Sequence, residues 1–79
     1  MGHTPHELHE EFPGQAGKIT ELKTRDTHFA ETAEVYHELN RTIHRIESGL
    51  DAVADAVLED LKKKRLALKD EISGLLAKA

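Results

Sequence analysis

The chain reads as all-α, a short N-terminal helix followed by an antiparallel helical hairpin with coiled-coil character. Three observations point there. Phe29, Tyr36, Ile43 and Leu50 recur every seven residues, with Thr32, Leu39 and Ile46 at the alternate steps. This is the stepping of one apolar stripe along a helix. A second stripe with the same stepping runs through Ala54, Leu58, Leu61, Arg65, Leu68, Ile72, Leu75 and Ala79. Between the two stripes, Ser48-Gly49 supplies a helix stop. If the chain folds back about residue 52, Phe29 faces Leu75, Thr32 faces Ile72 and Tyr36 faces Leu68. Leu39 then faces Arg65, Ile43 faces Leu61, Ile46 faces Leu58 and Leu50 faces Ala54. Every stripe residue of one helix meets one of the other, as a shared antiparallel core requires.

Taken in order, residues 1–11 read as a capped turn or flexible tail, and residues 12–79 as one helical-hairpin domain. Thr4-Pro5-His6-Glu7 carries a capping pattern, with Thr at the cap, Pro at the first helical position and Glu three residues after the cap. Pro13 ends that turn by biasing Phe12 away from helical angles. A helix over 13–24 follows, with Ala16, Ile19 and Leu22 on one side and Gly14 and Gly17 weakening it. Asp26 is the expected N-cap of the organising helix, which runs to about Ser48. Residues 49–54 connect, and Asp51 or Asp55 is the expected cap of the last helix.

The composition narrows the function classes. The 79 residues contain no Cys and no Trp, and the aromatic residues are Phe12, Phe29 and Tyr36. Disulfides, thiolate metal sites and thiol nucleophiles are therefore excluded. The net charge of −4 gives no global attraction for nucleic acid or anionic lipid. Residues 1–48 hold nine acids against five Lys or Arg, and residues 49–79 hold six of each. No apolar run is long enough to span a membrane or form a signal-peptide core, and His6 stands where a myristoylation signal needs Ser or Thr. The default expectation is a soluble, cytoplasmic protein of a bacterium or similar cell.

The string Glu11-Phe12-Pro13 through Leu22-Lys23 and Asp26-Thr27-His28-Phe29, then Tyr36-His37-Glu38-Leu39, Ile43-His44-Arg45-Ile46-Glu47 and the block Leu61 to Ile72, resembles the YdcH-like family of small bacterial proteins of unknown function. The resemblance covers nearly everything from Glu11 onward. It implies a short helical hairpin and no established enzymatic activity, and it supplies no catalytic residues. Thr32-Ala33 stands where the family commonly carries larger apolar residues, and Asn40 where an acid is usual. The volume missing at 32–33 leaves room beside Phe29 for the first helix or for another chain.

Four clusters bear on chemistry. His3, His6 and His9 would share a face if helical, a spacing that suits a transition metal, but a solvated polar tail is the plainer reading. His28, His37 and His44 lie in the organising helix; His37 and His44 share a face outside the stripe, where they read as rim residues or as a pH-sensitive association element. Lys62-Lys63-Lys64-Arg65 forms a basic collar without interleaved aromatic residues, flanked by Glu59, Asp60, Asp70 and Glu71. Arg65 also occupies a stripe position, where it is expected to stack on Tyr36 or reach outward to acids, and to fix alignment. On that reading Leu in its place raises the melting temperature. No catalytic, cofactor or metal site is assigned, and no enzyme activity or cofactor is expected.

The expected hairpin seam is Phe29, Tyr36, Leu39, Ile43, Ile46, Leu58, Leu61, Arg65, Leu68, Ile72 and Leu75. Two helices bury too little by themselves, so either the 13–24 helix docks on the hairpin or hairpins associate. Phe12, Ile19, Leu22, Val35, Val57, Leu66 and Leu76 form the candidate partner surface. The expected function is a protein–protein interaction module, self-associating or docking a foreign helix. The alternative is a small nucleic-acid-binding regulator using Lys62 to Arg65, and a membrane role is not expected.

Overall fold

The computed structural model describes residues 5–79, and its described residues form four helices and no strand. They are α1 (Leu8–Glu11), α2 (Ala16–Arg25), α3 (Thr27–Glu47) and α4 (Asp55–Lys78).

The first helix starts later than the capping pattern suggests. His6 has φ 66°, a left-handed conformation that interrupts any helix begun at Pro5. The expected cap Thr4 lies outside the described residues. Glu7 stands at the N-cap instead, without a side-chain capping bond, and α1 is a single turn. Phe12-Pro13-Gly14-Gln15 then closes a turn in which the Gln15 N–H donates to the Phe12 carbonyl at 3.1 Å and Gly14 has φ +86°. Pro followed by a left-handed Gly is the order a type II turn needs. The 13–24 helix is thus shortened at its start, and Gly14 shapes the turn before it rather than loosening its interior.

Asp26 alone separates α2 from α3. Its extended backbone (φ −126°, ψ 107°) breaks the helix, and its carboxylate accepts from the Phe29 N–H at 3.2 Å. The break is a true turn rather than a kink. At the other end of α3 the Gly49 N–H bonds the Ile46 carbonyl at 3.1 Å and the Leu50 N–H bonds the Arg45 carbonyl at 2.9 Å. With Gly49 at φ +86° these two bonds make a Schellman stop. The expected cap of α4 is corrected: Ala54 occupies that position, Asp55 is the acid in the first turn, and Asp51 accepts from Arg45 Nε at 3.0 Å. Leu50, an expected layer of the stripe, is 73% exposed, because the Schellman stop ends the helix before it.

Helices α3 and α4 lie side by side and run in opposite directions. Glu47 meets Lys62, Asn40 meets Arg65 and His28 meets Glu71, so partners advance along one helix as they retreat along the other. The core does not fill this pair evenly. Leu8, Ile19, Leu22, Phe29, Ala33, Tyr36, Ile72 and Leu76 form one buried cluster, with Phe12, Leu68 and Leu75 packed against it. It sits where α1 and α2 lie over the first half of α3, and the small side chains of Thr32 and Ala33, both buried, lie in this region. The room beside Phe29 is therefore taken by α2 of the same chain. Toward the connection only Ile43 is fully buried, and Ile46, Leu58 and Leu61 are half-buried.

Two glycines give substitutions of opposite sign. Gly14→Ala places a Cβ in a left-handed residue and should cost about 1–2 kcal/mol, with a fall in melting temperature of about 4–8 °C for each kcal/mol. Gly74 lies inside α4, away from positive φ, and open space surrounds the point where a Cβ would stand. Gly74→Ala should therefore stabilise by about 0.5–1 kcal/mol. Thermal unfolding followed by circular dichroism checks both.

Candidate functional site

The polar chemistry of the molecule gathers where α1 crosses the hairpin. Asn40, 1% exposed, is its centre. The Asn40 Nδ2 donates to the Pro5 carbonyl at 2.8 Å and to Glu7 Oε1 at 3.1 Å, and its Oδ1 accepts from an Arg65 guanidinium nitrogen at 3.0 Å. One turn earlier the buried Tyr36 hydroxyl donates to the His6 carbonyl at 2.6 Å. Burial pushes the Tyr36 phenol up to about 12, with the nearby Glu11 and Glu7 charges adding and Arg65 opposing. The hydroxyl therefore keeps its proton and its role as a donor throughout the neutral range. Among the described residues no buried side-chain polar atom lacks a partner, as buried polar groups require.

Two side-chain pairs strap α1 down further: His37 Nδ1 lies 3.1 Å from Glu7 Oε2, and Lys69 Nζ donates to Glu11 Oε1 at 2.8 Å. Within the strap itself, His6 Nδ1 lies 3.4 Å from Glu11 Oε2. The hydrogen bond from Lys69 holds the Glu11 carboxyl below the ordinary glutamate value of 4.5; burial opposes, and the Lys69 charge and the His6 contact add to the lowering. Glu47 is lowered in the same way by its bond from Lys62.

The expected site residues fall in several places. Phe29, Tyr36, Ile43 and Ile72 are buried, while Leu39, Ile46, Leu58, Leu61, Arg65, Leu68 and Leu75 are half-buried. Of the expected partner surface, Ile19, Leu22 and Leu76 are buried in the chain's own core and Phe12 packs against it. These four are corrected from partner contacts to core contacts, because α2 docks within the chain. Val35, Val57 and Leu66 are 55%, 47% and 59% exposed. They do not form one patch. At about 3.6 residues per turn, Leu66 falls on the α1 side of α4, where it lines a cleft with His6 and Tyr36. Val35 and Val57 fall on the opposite flank, with His28 and Glu71.

Among the described residues Arg65 neither stacks on Tyr36 nor reaches an acid; it bonds the amide of Asn40. The basic collar is divided as well. Lys62 is 2.9 Å from Glu47 and Arg65 turns to Asn40, so Lys63 and Lys64 alone point to solvent. His6 and His9 do not share a helical face, since His6 precedes α1, and His3 lies outside the described residues. Among the described residues no group of three or more His, Asp or Glu is placed to hold a metal, and none of the helices is long and apolar enough to cross a membrane. The Asn40 hub was missed by sequence reasoning. Its signal was a polar residue beside the stripe, one position from the residue paired with Arg65.

The fold and this site define a small all-α protein whose N-terminal strap is held to an antiparallel helix pair by a buried polar hub. The chain belongs to DUF465, a family of proteins of unknown function that matches it over residues 29–76 and includes the YdcH-like proteins. No curated protein and no solved structure matches the chain.

Two expectations test the hub. Asn40→Ala removes three hydrogen bonds and Arg65→Leu strands the buried Asn40 oxygen; each should cost about 1–3 kcal/mol, so Leu at position 65 lowers the melting temperature instead of raising it. Chemical denaturation of both variants checks this. The second concerns acid. A carboxyl with a lowered folded pKa contributes stability that is present above its unfolded value and lost as pH falls through the folded one. The Glu11 contribution is thus complete above pH 4.5 and disappears below it. The protection factors of the Leu8–Glu11 amides, taken relative to the intrinsic exchange rate at each pH, should fall on acidification through that range, and Lys69→Gln should abolish the step.

Proposed function

We propose that the protein is a non-enzymatic, self-associating helical module, and that the hairpin face opposite α1 and α2 binds a second copy of the chain. The observation that carries this reading is the asymmetry of burial along the hairpin. On the covered side Tyr36, Asn40, Ile43, Ile72 and Leu76 are buried. On the other flank Leu39, Ile46 and Leu61 stay half-buried, and Val35 and Val57 are exposed. An apolar stripe of that length without a cover is the mark of an interaction surface.

Size and charge favour a second copy as the occupant. The 24 residues of α4 span roughly 36 Å, and two helices side by side are about 20 Å wide. That gives on the order of 700 Å² per copy, near the ~800 Å² per partner of a stable complex. Asp60 and Lys64 lie one turn apart on this flank, and neither has a partner among the described residues. Across a two-fold axis the order reverses, so each acid meets the other copy's base. Two hairpins facing in this way make a four-helix bundle with coiled-coil-like packing. The nucleic-acid reading has less to use, because the protein itself engages Lys62 and Arg65.

Sedimentation equilibrium should give twice the 8.8 kDa chain mass at micromolar concentration. Val35→Glu and Val57→Glu alter exposed positions, so both should remain helical and shift the protein toward monomer. Asp60→Lys should weaken association, and adding Lys64→Asp should restore it. A wild-type chain that stays monomeric at every concentration overturns the reading.

A further inference from the structure

On the covered side, independent of the face assigned to self-association, a cleft of about 180 Å³ opens between α1 and α4. Its polar lining is His6, Glu11, Tyr36, Lys62, Arg65 and Lys69. Lys69 pairs with the Glu11 carboxylate inside the cleft and Lys62 with Glu47 at its edge, which leaves the Arg65 charge in excess, in a chain whose net charge is −4. The cleft is therefore locally positive against the trend of the whole molecule.

Arg65 makes the cleft more than a coincidence of surface lysines. The residue is half-buried at a position of the apolar stripe, and its guanidinium has no carboxylate within ion-pair distance among the described residues. Its hydrogen bond goes to the neutral Asn40 oxygen. A partly buried cation without a counter-ion is an unfavourable arrangement that an anion relieves. The same contact prepares the site. Asn40 is fixed by its own bonds to Pro5 and Glu7, so it holds one edge of the guanidinium and leaves the rest of the fork for a two-point oxyanion contact. Lys62 and Lys69 stand on either side of Arg65, one turn away in each direction along α4.

We propose that this cleft binds a phosphate group, held by the Arg65 fork and flanked by Lys62 and Lys69. The volume sets the class: it admits a phosphate or a small phosphate monoester, and it lies below the ~300–1,000 Å³ of pockets that enclose nucleotide-sized ligands. Lys69 exchanges part of its bond to Glu11 for the ligand, so occupancy also loosens that strap contact.

The test is a titration of the full chain with inorganic phosphate, and separately with glycerol phosphate, at constant ionic strength held with chloride. The side-chain Nε–H resonance of Arg65 and the amides of residues 6–11 are followed by NMR. Saturable shifts at these positions are expected with one or both ligands, and the tighter of the two identifies the source of the phosphate group. Lys63→Gln should leave the affinity unchanged. Arg65→Gln should abolish binding. Arg65→Lys keeps the charge and loses the fork, and should weaken binding at least tenfold while the circular dichroism stays helical. Shifts that are linear, that centre on Lys63 and Lys64, or that chloride alone reproduces overturn the proposal, as does an Arg65→Lys variant that binds as well as the parent.

Discussion

Two helices packed side by side leave two grooves between them, and this chain has covering helices for only one. That constraint orders the rest of the structure. Where α1 and α2 lie over α3, Phe29, Tyr36 and Ile72 are buried. Away from them the same apolar pattern continues along α3 and α4 but yields only half-buried side chains. Hydrophobic patterning alone did not set the boundary between these regions. The cover is two short helices of four and ten residues, and it reaches only so far along a partner of twenty-one.

The strap is held chiefly by polar contacts because it is too short to be held otherwise. A four-residue helix offers one buried apolar side chain, Leu8. The remaining attachment comes from main-chain carbonyls of Pro5 and His6, which accept from Asn40 and Tyr36, and from Glu7 and Glu11, which meet His37 and Lys69. The left-handed backbone at His6 turns those carbonyls toward α3, at a conformational cost of about 1–2 kcal/mol that the bonds to buried donors offset. Arg65 follows from the same hub. A charged residue stands on the apolar stripe here with a fixed amide, not a carboxylate, to receive one edge of it.

Much of this was legible in the chain, and the parts that were not share a cause. The Asp26 cap, the Ser48-Gly49 stop and the alternating three- and four-residue steps are local signals, and local chemistry decides them. Family membership followed from the same helical blocks. The errors arose where contacts distant in sequence took control. Thr4-Pro5-His6-Glu7 has a sound capping pattern, yet the helix starts at Leu8 because Tyr36 and Asn40 claim the carbonyls of Pro5 and His6. Ile19, Leu22 and Leu76 were indistinguishable in sequence from Val35 and Val57, all being apolar residues off the main stripe. Which of them faces inward depends on where α2 docks. Asp51 and Asp55 were both plausible caps, but Arg45 draws Asp51 aside and Ala54 stands at the cap.

The bond between Glu11 and Lys69 joins residues 58 positions apart in the chain, and the Asn40 hub needs Arg65 to complete it. A single helical turn has no persistence in water without such support. During translation α1 therefore leaves the ribosome well before α4 exists to receive it. The order of synthesis and the order of dependence run opposite ways: of these four helices, the one made first has its full set of contacts only once the one made last is in place.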